Sequence, residues 1–115
     1  MEYLLLIYNR ESDYAALSEE SRGAIHKDYF EFTDGIRKSG HYKGGNPLQP
    51  VATATTVQVR DGKTITTDGP FAETREQLGG YYLVEAANLD EAIGLASRIP
   101  GARTGSIEVR PIQKM

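Results

Sequence analysis

Two short apolar runs, each leading into a helical pattern, constrain this chain more than any other feature. Tyr3-Leu4-Leu5-Leu6 precedes a stretch in which Ile25, Tyr29, Phe32 and Ile36 recur at spacings of four, three and four. That period lays them on one face of a helix of about 20 residues. Tyr81-Tyr82-Leu83-Val84 precedes a second stretch in which Leu89, Ala92, Ile93 and Ala96 share a face. Two copies of one βα unit are the pseudo-repeat of a split βαβ domain. The expected fold class is therefore α+β, ferredoxin-like, in the order β-α-β-β-α-β, with both helices on one face of an antiparallel sheet.

The helix ends carry their own signals. Ser18 offers an N-cap oxygen, Glu19 and Glu20 fill a first turn, Arg37-Lys38 a last turn, and Gly40 stands at the C′ position. Asn88 caps the second helix and Ile99-Pro100-Gly101 stops it. Glu2 to Tyr8 reads as the first strand, His41 to Pro50 as a short extended piece followed by a turn, and Ser106 to Ile112 as the last strand. Gly44-Gly45 permits a bulge or a close strand approach. Thr53 to Arg60 and Lys63 to Thr67 flank Asp61-Gly62, a two-residue hairpin signal, and add an extra central hairpin to the pattern. The sheet face opposite the helices has no cover within the chain, although its strands carry Tyr, Leu, Val and Ile. A patch of that kind demands a partner, and a homodimer through the open sheet faces is the economical answer.

Length and charge narrow the remaining possibilities. At 115 residues the chain is expected to form a single domain over 1–115, able to bury roughly two thirds of its unfolded surface. Its Lys and Arg residues are dispersed and the formal charge is −3, so the basic footprint of a nucleic-acid partner is missing. The longest apolar run, Leu4 to Tyr8, is far shorter than the roughly 18 to 20 residues of a membrane span. It also lacks the flanks of a signal peptide, and a cytoplasmic location with no membrane partner is expected. There is no cysteine, which removes disulfides and thiolate chemistry together. No phosphate-cradling glycine motif, nucleophile elbow or clustered His/Asp/Glu spacing occurs, so no cofactor and no metal are expected.

The stretch that joins the hairpin to the Tyr81 strand reads TDGPFAETREQLGGYY, residues 67–82. An Asp at the start of a turn usually accepts from the N–H two residues on. Here that residue is Pro70, which has none. The Asp68 carboxylate must accept from Phe71 or beyond, from another segment, or from a ligand. Gly69 is free to take positive φ, so the turn can be sharp and its backbone approachable. Pro70 and Gly79 frame either a short helix from Phe71 to Leu78, with Glu73 and Glu76 on one side, or an ordered loop.

The run Asp68-Gly69-Pro70-Phe71-Ala72-Glu73-Thr74, continuing through Glu76-Gln77-Leu78-Gly79-Gly80-Tyr81-Tyr82, resembles the signature of the DGPF branch of the YCII-related proteins. Tyr3 to Tyr8, Gly44-Gly45-Asn46-Pro47-Leu48, Ala54-Thr55-Thr56-Val57, Asp90-Glu91-Ala92 and Val109-Arg110-Pro111 fall in the same order as other blocks of that branch. The resemblance implies a dimeric α+β barrel of ferredoxin-like subunits, and an association of DGPF members with alternative sigma factors. It also implies, from the YCII-type proteins that resemble small lyases or hydrolases, a helix histidine and an acidic residue in a pocket. His26 stands about where that histidine would be, and Asp68 could supply the acid.

In a functional reading, Asp68 is a general base or acid at the mouth of a pocket, His26 is its partner, and Tyr81 or Tyr82 orients a small-molecule ligand. Gly69, Pro70, Phe71 and Glu73 would line the same site. Arg110 is either an anion clamp or an inter-subunit ion-pair member. The competing reading makes Asp68 a turn cap, His26 a boundary residue and the Tyr pair core and interface.

Overall fold

The computed structural model describes residues 1–115. Its six strands are β1 (Glu2–Asn9), β2 (Tyr42–Pro47), β3 (Thr55–Arg60), β4 (Lys63–Asp68), β5 (Gln77–Glu85) and β6 (Ser106–Pro111). Three α-helices intervene, α1 (Glu11–Ala15), α2 (Glu19–Lys38) and α3 (Leu89–Ser97), with 3-10 turns at Val51–Thr53 and Pro100–Arg103. Strands β2, β5, β1 and β6 form one antiparallel sheet in that order. This is the ferredoxin-like arrangement that the two βα units predict. β3 and β4 form a separate two-stranded sheet.

The pleat of β1 decides where the core sits. Tyr3, Leu5 and Ile7 are buried while Leu4, Leu6 and Tyr8 are half-exposed, because successive side chains point to opposite faces. Tyr82 and Val84 of β5 join the buried set, as do Ile36 of α2 and Ala92, Leu95 and Ala96 of α3. Phe32 meets the Tyr82 ring edge-on, with centroids 5.3 Å apart, a favoured aromatic geometry. The opposite face, carrying Leu4, Leu6, Leu83 and Tyr81, lies under no element of the chain.

Local signals explain most element ends. Ser18 Oγ accepts from the Ser21 N–H at 3.1 Å, and Asn88 Oδ1 accepts from the Glu91 N–H at 2.9 Å, so both predicted caps form. Asp61 and Gly62 take φ of 53° and 73°, the left-handed pair of a type I′ hairpin turn. Register slips between Tyr42 and Gly44, and a Cβ on Gly45 would lie 2.8 Å from the Tyr82 ring and 2.9 Å from the Tyr81 carbonyl. The glycine pair thus allows both a bulge and a close approach.

One feature departs from the sequence pattern, and one alternative it left open is decided. α1 forms in the polar stretch after β1, fixed from outside itself: Arg22 of α2 donates to the Ala15 carbonyl at 2.9 Å and stacks 5.5 Å from the Tyr14 ring centroid. Residues 69–76 form a loop rather than a helix, because the strand starts at Gln77, where pairing with Asn9 captures the backbone. The Gln77 side chain closes the loop by donating to the Thr74 carbonyl at 2.8 Å.

One polar cluster ties the end of α2 to the start of α3. His41 accepts or donates at Ser39 Oγ, 2.6 Å from Nδ1, while its Nε2 lies 3.0 Å from Glu91 Oε1. The Ala87 N–H, and after it His41, hold the Glu91 carboxyl below the usual glutamate range. A carboxylate lowered in the folded state adds stability above its unfolded value, about 4.3, and loses it as pH falls through the folded value. The melting temperature of the native chain is therefore expected to fall more steeply from about pH 5 to about pH 3 than that of Glu91→Gln. Parallel slopes in a thermal titration would remove this residue from the acid response.

Candidate functional site

Polar groups with bonding capacity to spare occur in the middle of the uncovered sheet face and on the loop that leads from β4 into β5. Tyr81 projects from β5 onto the uncovered face, opposite Asn46 of β2. Asn46 Nδ2 donates to the Tyr81 hydroxyl at 2.9 Å. The phenol proton stays free to donate outward, and the Asn46 carbonyl stays free to accept. A donor and an acceptor therefore stand together beside Leu4, Leu6 and Leu83, on a face with no cover. Tyr82, the next residue, points the other way. It is buried, with its hydroxyl 2.6 Å from Thr33 Oγ1. Burial pushes its phenol up, as it does that of Tyr29, whose oxygen accepts from the Gly101 N–H at 3.1 Å. Both remain neutral and serve as hydrogen-bonding posts of the core.

The loop after β4 leads into the start of β5, four residues before Tyr81. Its Gly69 N–H donates to the Ala54 carbonyl at 2.7 Å, and its carbonyl accepts from Thr56 Oγ1 at 2.9 Å. With φ at +102°, this glycine turns the chain at an angle that a side chain resists. Glu76 Oε1 accepts from Ser106 Oγ at 2.9 Å, anchoring the far end of the loop to β6. Between these anchors Pro70, Phe71 and Glu73 are exposed, Phe71 at 80%. The Asp68 carboxylate is exposed and takes part in none of the chain's side-chain hydrogen bonds or ion pairs. Pro70 has indeed denied it the usual local donor.

His26 lies in the first half of α2, exposed, with Nε2 3.1 Å from the Tyr14 hydroxyl. α1 thereby orients the imidazole, a role no sequence signal for Tyr14 suggests. No hydrogen bond joins His26 to Asp68 within one chain. Arg110 stands on the uncovered face beside Glu108, two residues back on the same strand, and ion-pairs with it. Asn46 escaped sequence reasoning because it sits in a Gly-Gly-Asn-Pro run that reads as a turn. Its pairing with Tyr81 could be found only by aligning strand register.

A separate concavity lies elsewhere. An open cleft of about 490 Å³ between α2 and the segment after α3 is lined by Asp28, Glu31, Phe32, Arg98, Ile99 and Arg103, among others. Arg103 already pairs with Asp28 at 3.0 Å across it. None of Asp68, His26 or Tyr81 reaches this cleft. No group of three or more His, Asp or Glu side chains is placed to hold a metal. No helix is long and apolar enough to cross a membrane.

Comparison with known proteins agrees with this architecture. The family model of the YCII-related domain matches residues 1–115. An uncharacterized protein of Rhizobium meliloti (strain 1021) is 40% identical over 114 residues, which span 97% of this chain and 92% of that protein. Among solved structures, the 5-chloro-2-hydroxyhydroquinone dehydrochlorinase of Burkholderia phenoliruptrix AC1100, in complex with 2,5-dihydroxybenzoquinone, superimposes with a TM-score of 0.57. It covers 98% of this chain and 94% of its own at 13% identity, a likeness of fold alone.

Proposed function

The chain belongs to the YCII-related family, and from that premise we propose that it acts as a cytoplasmic, single-domain homodimer that binds a small hydroxylated or keto-bearing ring. The subunits stack through their uncovered sheet faces, and the ligand sits on that face beside the Asp68 loop. The observation that carries this reading is the Tyr81–Asn46 pair, a free donor and a free acceptor beside Leu4, Leu6 and Leu83 on the uncovered face. Asp68 lends support, since its carboxylate has no partner of its own. So does the solved structure of like fold, which holds a small hydroxylated quinone. Gly69, Pro70, Phe71 and Glu73 form the rim, and Arg110 supplies charge at the opposite strand.

In the enzymatic form of this reading, Asp68 takes a proton from a ligand hydroxyl. His26, oriented by Tyr14, is the second acid–base group. A carboxylate and an imidazole suit that work because both are side chains that accept and return protons in general acid–base catalysis. A non-catalytic regulatory module would keep the same ligand site without turnover.

The test is a thermal-shift titration with 2,5-dihydroxybenzoquinone and ring analogues bearing one hydroxyl fewer. A ligand at 100 times its dissociation constant stabilises the native state by about 2.7 kcal/mol. Tyr81→Phe and Asp68→Asn are each expected to weaken the binding roughly tenfold, the worth of one hydrogen bond to a charged or buried group. Equal affinity in both variants would move the site away from this part of the sheet.

A further inference from the structure

Resting on the homodimer reading, we propose that the β3–β4 hairpin is an arm that grips the second copy and sets Asp68 at the boundary between the two chains. Two-stranded hairpins are marginal in water and need a third surface to rest on. This one has none within its own chain: β3 packs on β4, and no other element makes a substantial contact with either. Val57 and Val59 are each 60% exposed.

The two faces of the arm differ in charge. Thr55, Val57 and Val59 alternate onto one face with their partners Thr66 and Thr64, a β-branched surface without a charge. Gln58, Arg60, Lys63 and Ile65 take the other, which suits solvent. Asp68 pairs with Thr55 at the root of the arm and two residues beyond Thr66, so it shares the uncharged face. A charge-free face ending in one unpartnered carboxylate fits a contact that closes over a polar site.

Surface area supplies the occupant. A compact monomer of 12.7 kDa exposes roughly 6,200 Å², whereas this chain exposes 8231 Å². The excess, about 2,000 Å², is of the size that one subunit of an obligate dimer buries. The radius of gyration, 16.0 Å, likewise exceeds the roughly 13 Å of a compact chain of this length. The uncovered sheet face cannot account for the excess. Four strands of six to nine residues cover roughly 24 by 19 Å in plan, about 460 Å², short of the roughly 800 Å² per partner of a stable complex. With overall extents of 48 × 43 × 19 Å, the chain is two layers thin. Its arm extends beside its own sheet and does not fold over it, so a sheet-stacked second copy is the surface within reach.

The test compares the native chain with one in which Gly-Gly links Thr55 directly to Asp68. Sedimentation should find the native protein dimeric at micromolar concentration. The shortened chain, with unchanged circular dichroism of the remaining sheet and helices, should dissociate at least about 100-fold more readily. Because shortening could disturb the adjoining loop, Val57→Lys with Val59→Lys is set against Gln58→Lys with Ile65→Lys. Only the first pair should weaken the dimer. The chain has no cysteine, so single thiols report cleanly: Asp68→Cys should be alkylated at least about tenfold more slowly in the dimer than Asp61→Cys at the arm tip. A dimer that survives shortening overturns the arm and leaves the sheet-stacked dimer standing. A native monomer overturns both. Equal alkylation at the two positions overturns the boundary placement of Asp68.

Discussion

Leu5→Ala is expected to lower folding stability by about 2–5 kcal/mol, while Leu6→Ala, one residue on, changes it by less than about 1 kcal/mol in dilute solution. Leu5 has 0% of its surface exposed and lies among Ile36, Val84 and Ile99 on the covered face. Truncation there removes transfer energy and leaves a cavity that the surrounding helices fill only partly. Leu6 is half-exposed on the opposite face, where alanine opens no cavity. Total stabilities of domains this small run about 5–15 kcal/mol, so the first variant consumes a large share of the total. Urea unfolding measures both as shifts in midpoint at unchanged slope. Equal shifts would mean that the sheet is covered on both sides by its own chain, contrary to the alternation of β1.

That alternation marks how far the sequence could be read. Caps, the Asp-Gly turn and the Gly-Gly bulge were legible because each depends on a backbone preference of one or two residues. Glu11–Ala15 was not, since a five-residue helix is held by Arg22 of α2, which bonds the Ala15 carbonyl and stacks on the Tyr14 ring. The Phe71–Leu78 stretch left helix and loop both open. Only the pairing of Gln77 with Asn9, nearly seventy positions away in the chain and so invisible to local pattern, decides it.

The site is less legible than the fold for a related reason. Tyr81 and Tyr82 are one doublet in sequence and two different environments in the sheet, one facing outward with Asn46 and one buried against Thr33. Residue type named Asp68 and His26 as chemically able, and the missing N–H of Pro70 drew attention to the Asp68 carboxylate, which has no side-chain hydrogen bond or ion pair within the chain. Juxtaposition is a tertiary property, and one chain leaves those two groups on separate elements. If they act together, a second chain has to take part in the arrangement, which makes self-association the measurement on which the functional reading turns.

On the proposed sheet-stacked homodimer, Leu6→Glu is accordingly expected to leave the chain monomeric without unfolding it. In the single chain the new carboxylate would stand half-exposed on the uncovered face, where water solvates it at little cost. In a sheet-stacked dimer it would be buried beside Leu4 and Leu83 and directly across from Glu108, whose own charge already engages the neighbouring Arg110. An uncompensated buried charge costs about 3–5 kcal/mol, and a two-fold interface incurs that cost on both sides. The dissociation constant should rise at least about 100-fold by sedimentation, with far-UV circular dichroism unchanged. Phe30→Glu is the matched control. Phe30 is 77% exposed on α2, on the helix side, so a charge there should leave association as it was. The reverse outcome, dissociation by Phe30→Glu and none by Leu6→Glu, would place the interface on the helices and leave Tyr81 and Asn46 open to solvent. A ligand site there would then lose its lid, and binding strong enough to detect would have to come from the cleft between α2 and Arg103 instead.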